Sequence, residues 1–180
     1  MLNKIKGGLF GLAIGDALGG TTEFMTPEEI KKKHGKVTEI IGGGVWDLEV
    51  GETTDDTAMT IAVAKGLIAN PQDPIEEIGK YFLLWEETDP KDIGVTIRTV
   101  FHYYQSDWFE AAQKAHQILG GKSAGNGSLM RCLPIAFAYS GLAKIEEISA
   151  LQSKITHHSD LASEAASYRK ITAPLLNTAL

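Results

Sequence analysis

Lys4-Ile5-Lys6-Gly7-Gly8-Leu9-Phe10-Gly11-Leu12-Ala13-Ile14-Gly15-Asp16-Ala17-Leu18-Gly19-Gly20 is the stretch that decides the fold class. Ile5, Leu9, Leu12 and Ala13 recur at the spacing of one helical face, and the Gly19-Gly20 pair closes the segment. The same periodicity repeats outward. Ile61, Ala62, Leu67 and Ile68 belong to a helix that opens at Asp55-Asp56-Thr57 and stops at Asn70-Pro71. Asp73 is placed to cap a third helix, with Pro74 at its first position and Glu76 in capping-box register; Ile75, Ile78, Phe82 and Trp85 are its apolar set. Val100, Phe101 and Tyr104 mark a fourth helix, and Phe109, Ala112 and Leu119 a fifth. Leu129, Leu133 and Phe137 mark a sixth, with Pro134 at a kink or boundary. Ile145, Ile148, Leu151 and Ile155 form a seventh, and Leu161 to Ile171 an eighth. Only Val37-Thr38-Glu39-Ile40-Ile41 reads as a strand. Residues 1–180 are thus expected to form a single all-α domain of short helices joined by glycine-rich loops.

The 180 residues suffice for one core, and 43% hydrophobic with 22% charged residues is ordinary for a soluble globular chain. A net charge of −6 argues against a nucleic-acid partner, which needs concentrated Lys and Arg. The basic run Lys31-Lys32-Lys33-His34 reads as a solvated helix end. The single cysteine, Cys132, excludes an internal disulfide framework and reads as a small buried hydrophobe. No secretory leader or membrane span is expected at or after Met1-Leu2-Asn3-Lys4, which points to a cytoplasmic protein.

The chemistry is expected in the loops. Gly42-Gly43-Gly44, Gly51, Gly94, Gly120-Gly121 and Gly125-Asn126-Gly127 adjoin polar residues. Such loops either end helices or bring backbone N–H groups close to an anion. Thr53-Thr54-Asp55-Asp56-Thr57 also has two readings on spacing alone. It is a charged helix N-cap, or it is a set of oxygen ligands for a hard cation.

Several motifs together carry a resemblance. Gly8 to Gly19 with Glu23 is similar to the opening helix of the ADP-ribosylglycohydrolase family, which includes the dinitrogenase reductase-activating glycohydrolases. Gly51-Glu52-Thr53-Thr54-Asp55-Asp56-Thr57 resembles that family's first metal motif, Asp92-Ile93-Gly94-Val95-Thr96 its central acidic motif, and Gly125 to Arg131 its substrate loop. Thr156-His157 before an Ala-rich helix resembles its histidine segment. The motifs stand in family order.

The resemblance implies a compact orthogonal helical bundle with a binuclear Mg²⁺ (or Mn²⁺) centre in an ADP-ribose cleft. Thr54, Asp55 and Asp56 would supply the first half of the metal shell. Asp92 would be the acid/base carboxylate, and Glu23 would contact metal-bound water or substrate. Asn126, Gly127, Ser128 and Arg131 would line the diphosphate and ribose site, with His157 nearby. Asp16, inside the first helix, reads as structural. The implied reaction is Mg²⁺-dependent removal of ADP-ribose from a protein side chain or small acceptor by an activated water. The family's second metal motif, Asp-x-Asp-Thr, does not occur in these 180 residues. The expectation is therefore a C-terminally truncated family domain with at most part of the metal site. It would self-associate, or pair with a complementing chain that carries the remaining helices. The alternatives are an ADP-ribose-binding module or an inactive relative.

Overall fold

The computed structural model describes residues 2–167. Among them are nine α-helices and no strand, so the chain is all-α. The chain divides into two compact units, one through Ala58 and one from Met59 onward. The end of the eighth predicted helix at Ile171, and the apolar tail from Ala173 to Leu180 that the sequence offers as a surface for self-association, lie outside the described residues.

In the first unit, α1 (Leu2–Gly19) is followed by a 3-10 turn (Gly20–Thr22) and α2 (Pro27–His34). The predicted stripe of α1 is its partly buried face, continued by Asp16 and the buried Ala17, while Phe10 and Ile14 stand exposed on the other side. Thr26 caps α2. Its Oγ1 accepts from Glu29 N–H (3.3 Å), and Glu29 Oε2 accepts from Thr26 N–H (2.7 Å), a reciprocal box at a Pro-initiated helix. Gly35 ends it at φ 69°, so Lys31 to Lys33 stand exposed in the last turn, where cations complement the helix dipole, while His34 is half-buried.

The strand expected at Val37–Ile41 does not form. Gly42, Gly43 and Gly44 all take positive φ and turn the chain, leaving only a bridge in which Gly43 and Leu48 exchange N–H···O bonds of 2.7 and 2.9 Å. A Cβ on Gly42 would sit 2.5 Å from the Leu48 carbonyl, so this turn is closed to other residues. The turn is tied back by Thr21 Oγ1, which donates to Gly42 O at 3.0 Å.

Helix α3 (Asp55–Ala69) begins in the first unit and supplies Met59, Ala62, Val63 and Leu67 to the core of the second. There it is joined by α4 (Ile75–Glu86), α5 (Val95–Tyr103), α6 (Trp108–Ile118), α7 (Leu133–Ala138), α8 (Leu142–Lys154) and α9 (Asp160–Ala166). Ile78, Phe82, Val100, Ala112, Ile135, Ile145 and Ile155 are fully buried, each of the larger side chains contributing about 1.5–3 kcal/mol of burial. Two close approaches set the packing. A Cβ on Gly66 would lie 2.6 Å from Ile78 N, and one on Gly79 would run into the Trp108 indole. Trp108 in turn stacks on Tyr104 at 3.9 Å.

The Asp73 cap of α4 is not made. Pro74 occupies the cap position without a side-chain bond, and Asp73 N–H instead donates to Asn70 Oδ1 at 3.2 Å, closing the preceding turn. Asp107 is the residue that caps a helix, accepting from Phe109 and Glu110 N–H at 2.8 and 3.0 Å. Pro134 starts α7.

Candidate active site

The first unit gathers the expected metal motif around Asp16. The Asp16 carboxylate reaches from α1 to the start of α3. It accepts from Thr54 N–H at 3.0 and 3.1 Å, from Thr54 Oγ1 at 2.7 Å, from Thr57 N–H at 3.1 Å and from the Thr57 hydroxyl. Two of these donors are backbone N–H groups at a helix start, which have no partner within the helix. Asp16 is structural in that sense, as expected. Its position also makes it part of the acidic cluster, which sequence reasoning missed. The signal lay in its helical register with Ala13 and Ala17, on the part-buried face of α1.

This anchor fixes Asp55 and Asp56 in the first turn of α3, with Thr54 and Asp55 buried. Burial, then the Asp16 and Glu23 carboxylates, raise the Asp56 pKa above the usual aspartate value. Glu23 is held by Trp46, whose Nε1–H donates to its Oε2 at 2.6 Å, and Phe24 meets the same indole edge-to-face at 6.2 Å. Phe24 itself has φ 60°, a left-handed conformation that is strained for an aromatic residue. Carboxylates gathered around one helix start supply the hard oxygen ligands that a divalent cation takes. The Thr54 hydroxyl donates its proton to Asp16, which leaves its lone pairs turned elsewhere. The donor type thus fits Mg²⁺. The number does not: no three His, Cys, Asp or Glu side chains among the described residues converge to hold a metal by themselves.

The second unit carries the other expected residues. Asp92 lies buried in the segment before α5. Beside that segment a cleft of about 250 Å³ is lined by Glu86, Glu87, Asp89, Pro90, Ile93 and Arg98. Gly125-Asn126-Gly127-Ser128 forms a loop with a 3-10 turn (Asn126–Ser128), in which Asn126 O accepts from Leu129 and Met130 N–H at 2.7 and 3.0 Å. Asn126 is exposed on this loop.

Arg131 and Ser128, expected to line the ligand site, are buried beneath the loop instead, while His157, expected nearby, lies against the loop glycines. Arg131 is fully buried. Its Nε donates to Gln152 Oε1 (2.8 Å), its Nη2 to Gln152 O (2.8 Å) and Thr156 Oγ1 (2.7 Å), and its Nη1 reaches Met59 Sδ at 3.7 Å. The guanidinium also lies 4.4 Å from the Phe82 ring centre. Gln152 of α8 and Thr156 just beyond it accept three of these bonds, which holds the guanidinium in the interior. Ser128 is equally buried: Ser153 Oγ donates to its hydroxyl at 2.8 Å, and Gln152 Nε2 donates to its carbonyl at 2.9 Å. His157 is 2% exposed, and burial together with the nearby Arg131 pushes its pKa down to about 3. Cys132 is buried, with its thiol pushed up to about 11, so it behaves as the hydrophobe expected.

The sequence matches the family model described as ADP-ribosylglycohydrolase over residues 1–178. It is 38% identical over 164 residues to a Rhodospirillum rubrum protein named ADP-ribosyl-(dinitrogen reductase) glycohydrolase, covering 91% of this chain and 54% of that one. It is 30% identical over 187 residues to ADP-ribosylarginine hydrolase Tri1 of Pseudomonas putida (99% and 47%). A human protein, ADP-ribosylhydrolase ARH3, is 28% identical over 169 residues (89% and 46%). A solved structure described as an ADP-ribosylglycohydrolase-related protein complex superposes with a TM-score of 0.73 at 30% identity, over 91% of this chain and 52% of that one. The chain therefore spans about half the length of the relatives it matches. With the motif order, the helical fold and the family model in agreement over nearly its whole length, this chain belongs to the ADP-ribosylglycohydrolase family.

Proposed function

We propose that the chain supplies the ADP-ribose-binding loop and the first half of the metal site of an ADP-ribosyl hydrolase. The observation that carries this reading is the Asp16 anchor. Its bonds to Thr54 and Thr57 fix the adjacent carboxylates Asp55 and Asp56 at a helix start, where burial and then the Asp16 and Glu23 carboxylates raise the Asp56 pKa. Thr54, Asp55 and Asp56 would hold Mg²⁺ or Mn²⁺. When bound, such a cation supplies Lewis-acid chemistry to the ribose oxygens and to the attacking water.

The remaining roles fall to the chain's own groups. Asp92, buried and therefore sensitive to its surroundings, handles the proton at the reacting ribose. Glu23, fixed by Trp46, orients water or a ribose hydroxyl. Asn126 and the backbone of its loop bind the nucleotide without positive side chains, which reconciles a phosphate ligand with a net charge of −6. The acidic lining of the cleft beside Asp92 favours a cationic acceptor, such as an arginine guanidinium, over a neutral one.

With no Asp-x-Asp-Thr motif in the 180 residues, a second reading stands: alone, the chain binds ADP-ribose and turns over little. The exposed Phe10 and Ile14 on α1 fit self-association or a complementing chain, and light scattering at high concentration distinguishes both from a monomer. The test of function is release of free ADP-ribose from ADP-ribosyl-arginine with Mg²⁺ present. The chain is assayed alone and then mixed with a family C-terminal half that contains Asp-x-Asp-Thr. Turnover is expected only in the mixture, with Asp92→Asn lowering it about 10²–10⁴-fold. Robust turnover by the chain alone, abolished by Asp55→Ala, would overturn the half-site reading. Absence of both ADP-ribose binding and turnover would remove the function itself.

A further inference from the structure

Beneath the Gly125–Ser128 loop, one buried cation reaches the loop by two routes. In the first, Arg131 Nε donates to Gln152 Oε1, which fixes the amide so that Nε2 donates to Ser128 O at 2.9 Å and Ser149 O at 3.2 Å. In the second, Arg131 Nη2 donates to Thr156 Oγ1 at 2.7 Å, and the same hydroxyl lies 2.8 Å from His157 Nδ1. The far edge of that imidazole faces the loop. A Cβ on Gly127 would lie 3.0 Å from His157 Cε1 and 3.2 Å from Nε2, and one on Gly125 would lie 3.6 Å from Nε2.

The donor count along the second route fixes the proton. An arginine donates only, so Thr156 Oγ1 must be the acceptor of the first bond. Its own O–H then needs an acceptor, and His157 Nδ1 is the one in reach. Were Nδ1 protonated, the Thr156 oxygen would face two donors and its hydroxyl proton would be stranded in a fully buried site. A stranded buried donor costs about 1–3 kcal/mol. We propose that Arg131, Thr156 and His157 form a positioning relay that holds the imidazole in its Nε2–H tautomer and turns this N–H donor toward the Gly125–Gly127 segment. The glycines leave the ring edge uncovered by side chains, so the imidazole packs directly against the loop backbone and limits the position of Asn126 above it. Burial, and then the same Arg131 charge, keep the ring neutral. Arg131 and His157 are therefore positioning residues for the nucleotide loop.

Nitrogen-15 histidine spectra of the full chain test the relay directly, and ADP-ribose titration tests its consequence, which rests on the function proposed above. The wild type should show a protonated Nε2 and bare Nδ1 at His157 at neutral pH. Thr156→Val removes the hydroxyl at constant shape and should give mixed tautomers, with ADP-ribose binding weakened about 3- to 10-fold. Thr156→Ser keeps the hydroxyl and should restore both. An Nδ1–H imidazole in the wild type overturns the relay, and that spectrum decides even if Thr156→Val fails to fold. A Thr156→Val imidazole identical to the wild type overturns it too. If the tautomer follows the hydroxyl through all three proteins but ADP-ribose does not bind, the relay stands and the function reading fails.

Discussion

Acid should unfold this protein through His157. Its folded pKa of about 3 lies below the ordinary 6.5, because burial and then the Arg131 charge disfavour the imidazolium. The sign follows from the order of the two values. The folded state takes up its proton later than the unfolded state, so the contribution is fully present above 6.5 and is lost as pH falls toward 3. At pH 5 the unfolded ring is charged and the folded ring is not. About 1.5 pH units at about 1.4 kcal/mol each give a loss of about 2 kcal/mol relative to neutral pH. The control is His157→Asn, whose Oδ1 can take the Nδ1 place beside Thr156 and which does not titrate. Urea unfolding at pH 7 and pH 5, for both proteins, isolates the histidine from every other titrating group. The wild type should lose about 2 kcal/mol more than the variant between the two pH values. Equal losses would mean that His157 is not held neutral, and the buried arrangement around Arg131 would be wrong.

The acidic cluster predicts the opposite pH dependence. With its pKa raised, Asp56 favours folding most below the ordinary aspartate range and loses that contribution as pH rises through its folded value, so Asp56→Asn should raise neutral-pH stability in chelator while abolishing stabilisation by Mg²⁺. Thermal melts with and without Mg²⁺ check both halves of that statement. Asp16→Ala strands the Thr54 and Thr57 donors and should cost about 2–4 kcal/mol, read by urea unfolding together with faster amide exchange at Thr54 and Thr57; a cost below about 0.5 kcal/mol would contradict the anchor. Gly79→Ala places a methyl group on the Trp108 indole and should destabilise by about 1–3 kcal/mol, with a changed tryptophan near-UV signal.

Element existence was legible because apolar spacing is a local property. The α1 stripe, the Ile145-to-Ile155 face of α8 and the helix after Asp55-Asp56-Thr57 all form where the pattern puts them. The errors lie where a local signal competes with another local signal. Val37 to Ile41 is β-branched enough for a strand, yet the three positive-φ glycines that follow turn the chain, and the one bridge formed joins Gly43 to Leu48 instead. Asp73 precedes Pro74 in good capping register, but Asn70 takes the Asp73 N–H first. Thr26 and Glu29 form the reciprocal box instead, a pattern present in Thr26-Pro27-Glu28-Glu29 but set before a segment with almost no apolar face.

The site shows why residue type and residue role separate. Asp16 and Arg131 are both charged residues inside motifs; the place of Asp16 within a helix marks it as structural, but no such signal marks Arg131. What divides them from the exposed Asn126 is where their partners lie. Asp16 is satisfied 38 to 41 residues away at Thr54 and Thr57, and Arg131 21 to 25 residues away at Gln152 and Thr156. A side chain whose bonding capacity is taken up within the protein is withdrawn from the ligand and given to the scaffold. That transfer follows from tertiary pairing, which no window of sequence contains. In both units the motif contains an orienting group as well as the group proposed to bind: Asp16 behind Asp55 and Asp56, Arg131 behind Asn126. Substituting the orienting member should therefore disturb stability and ligand binding together, whereas removing the Asn126 side chain, which is exposed, should weaken binding and leave folding intact.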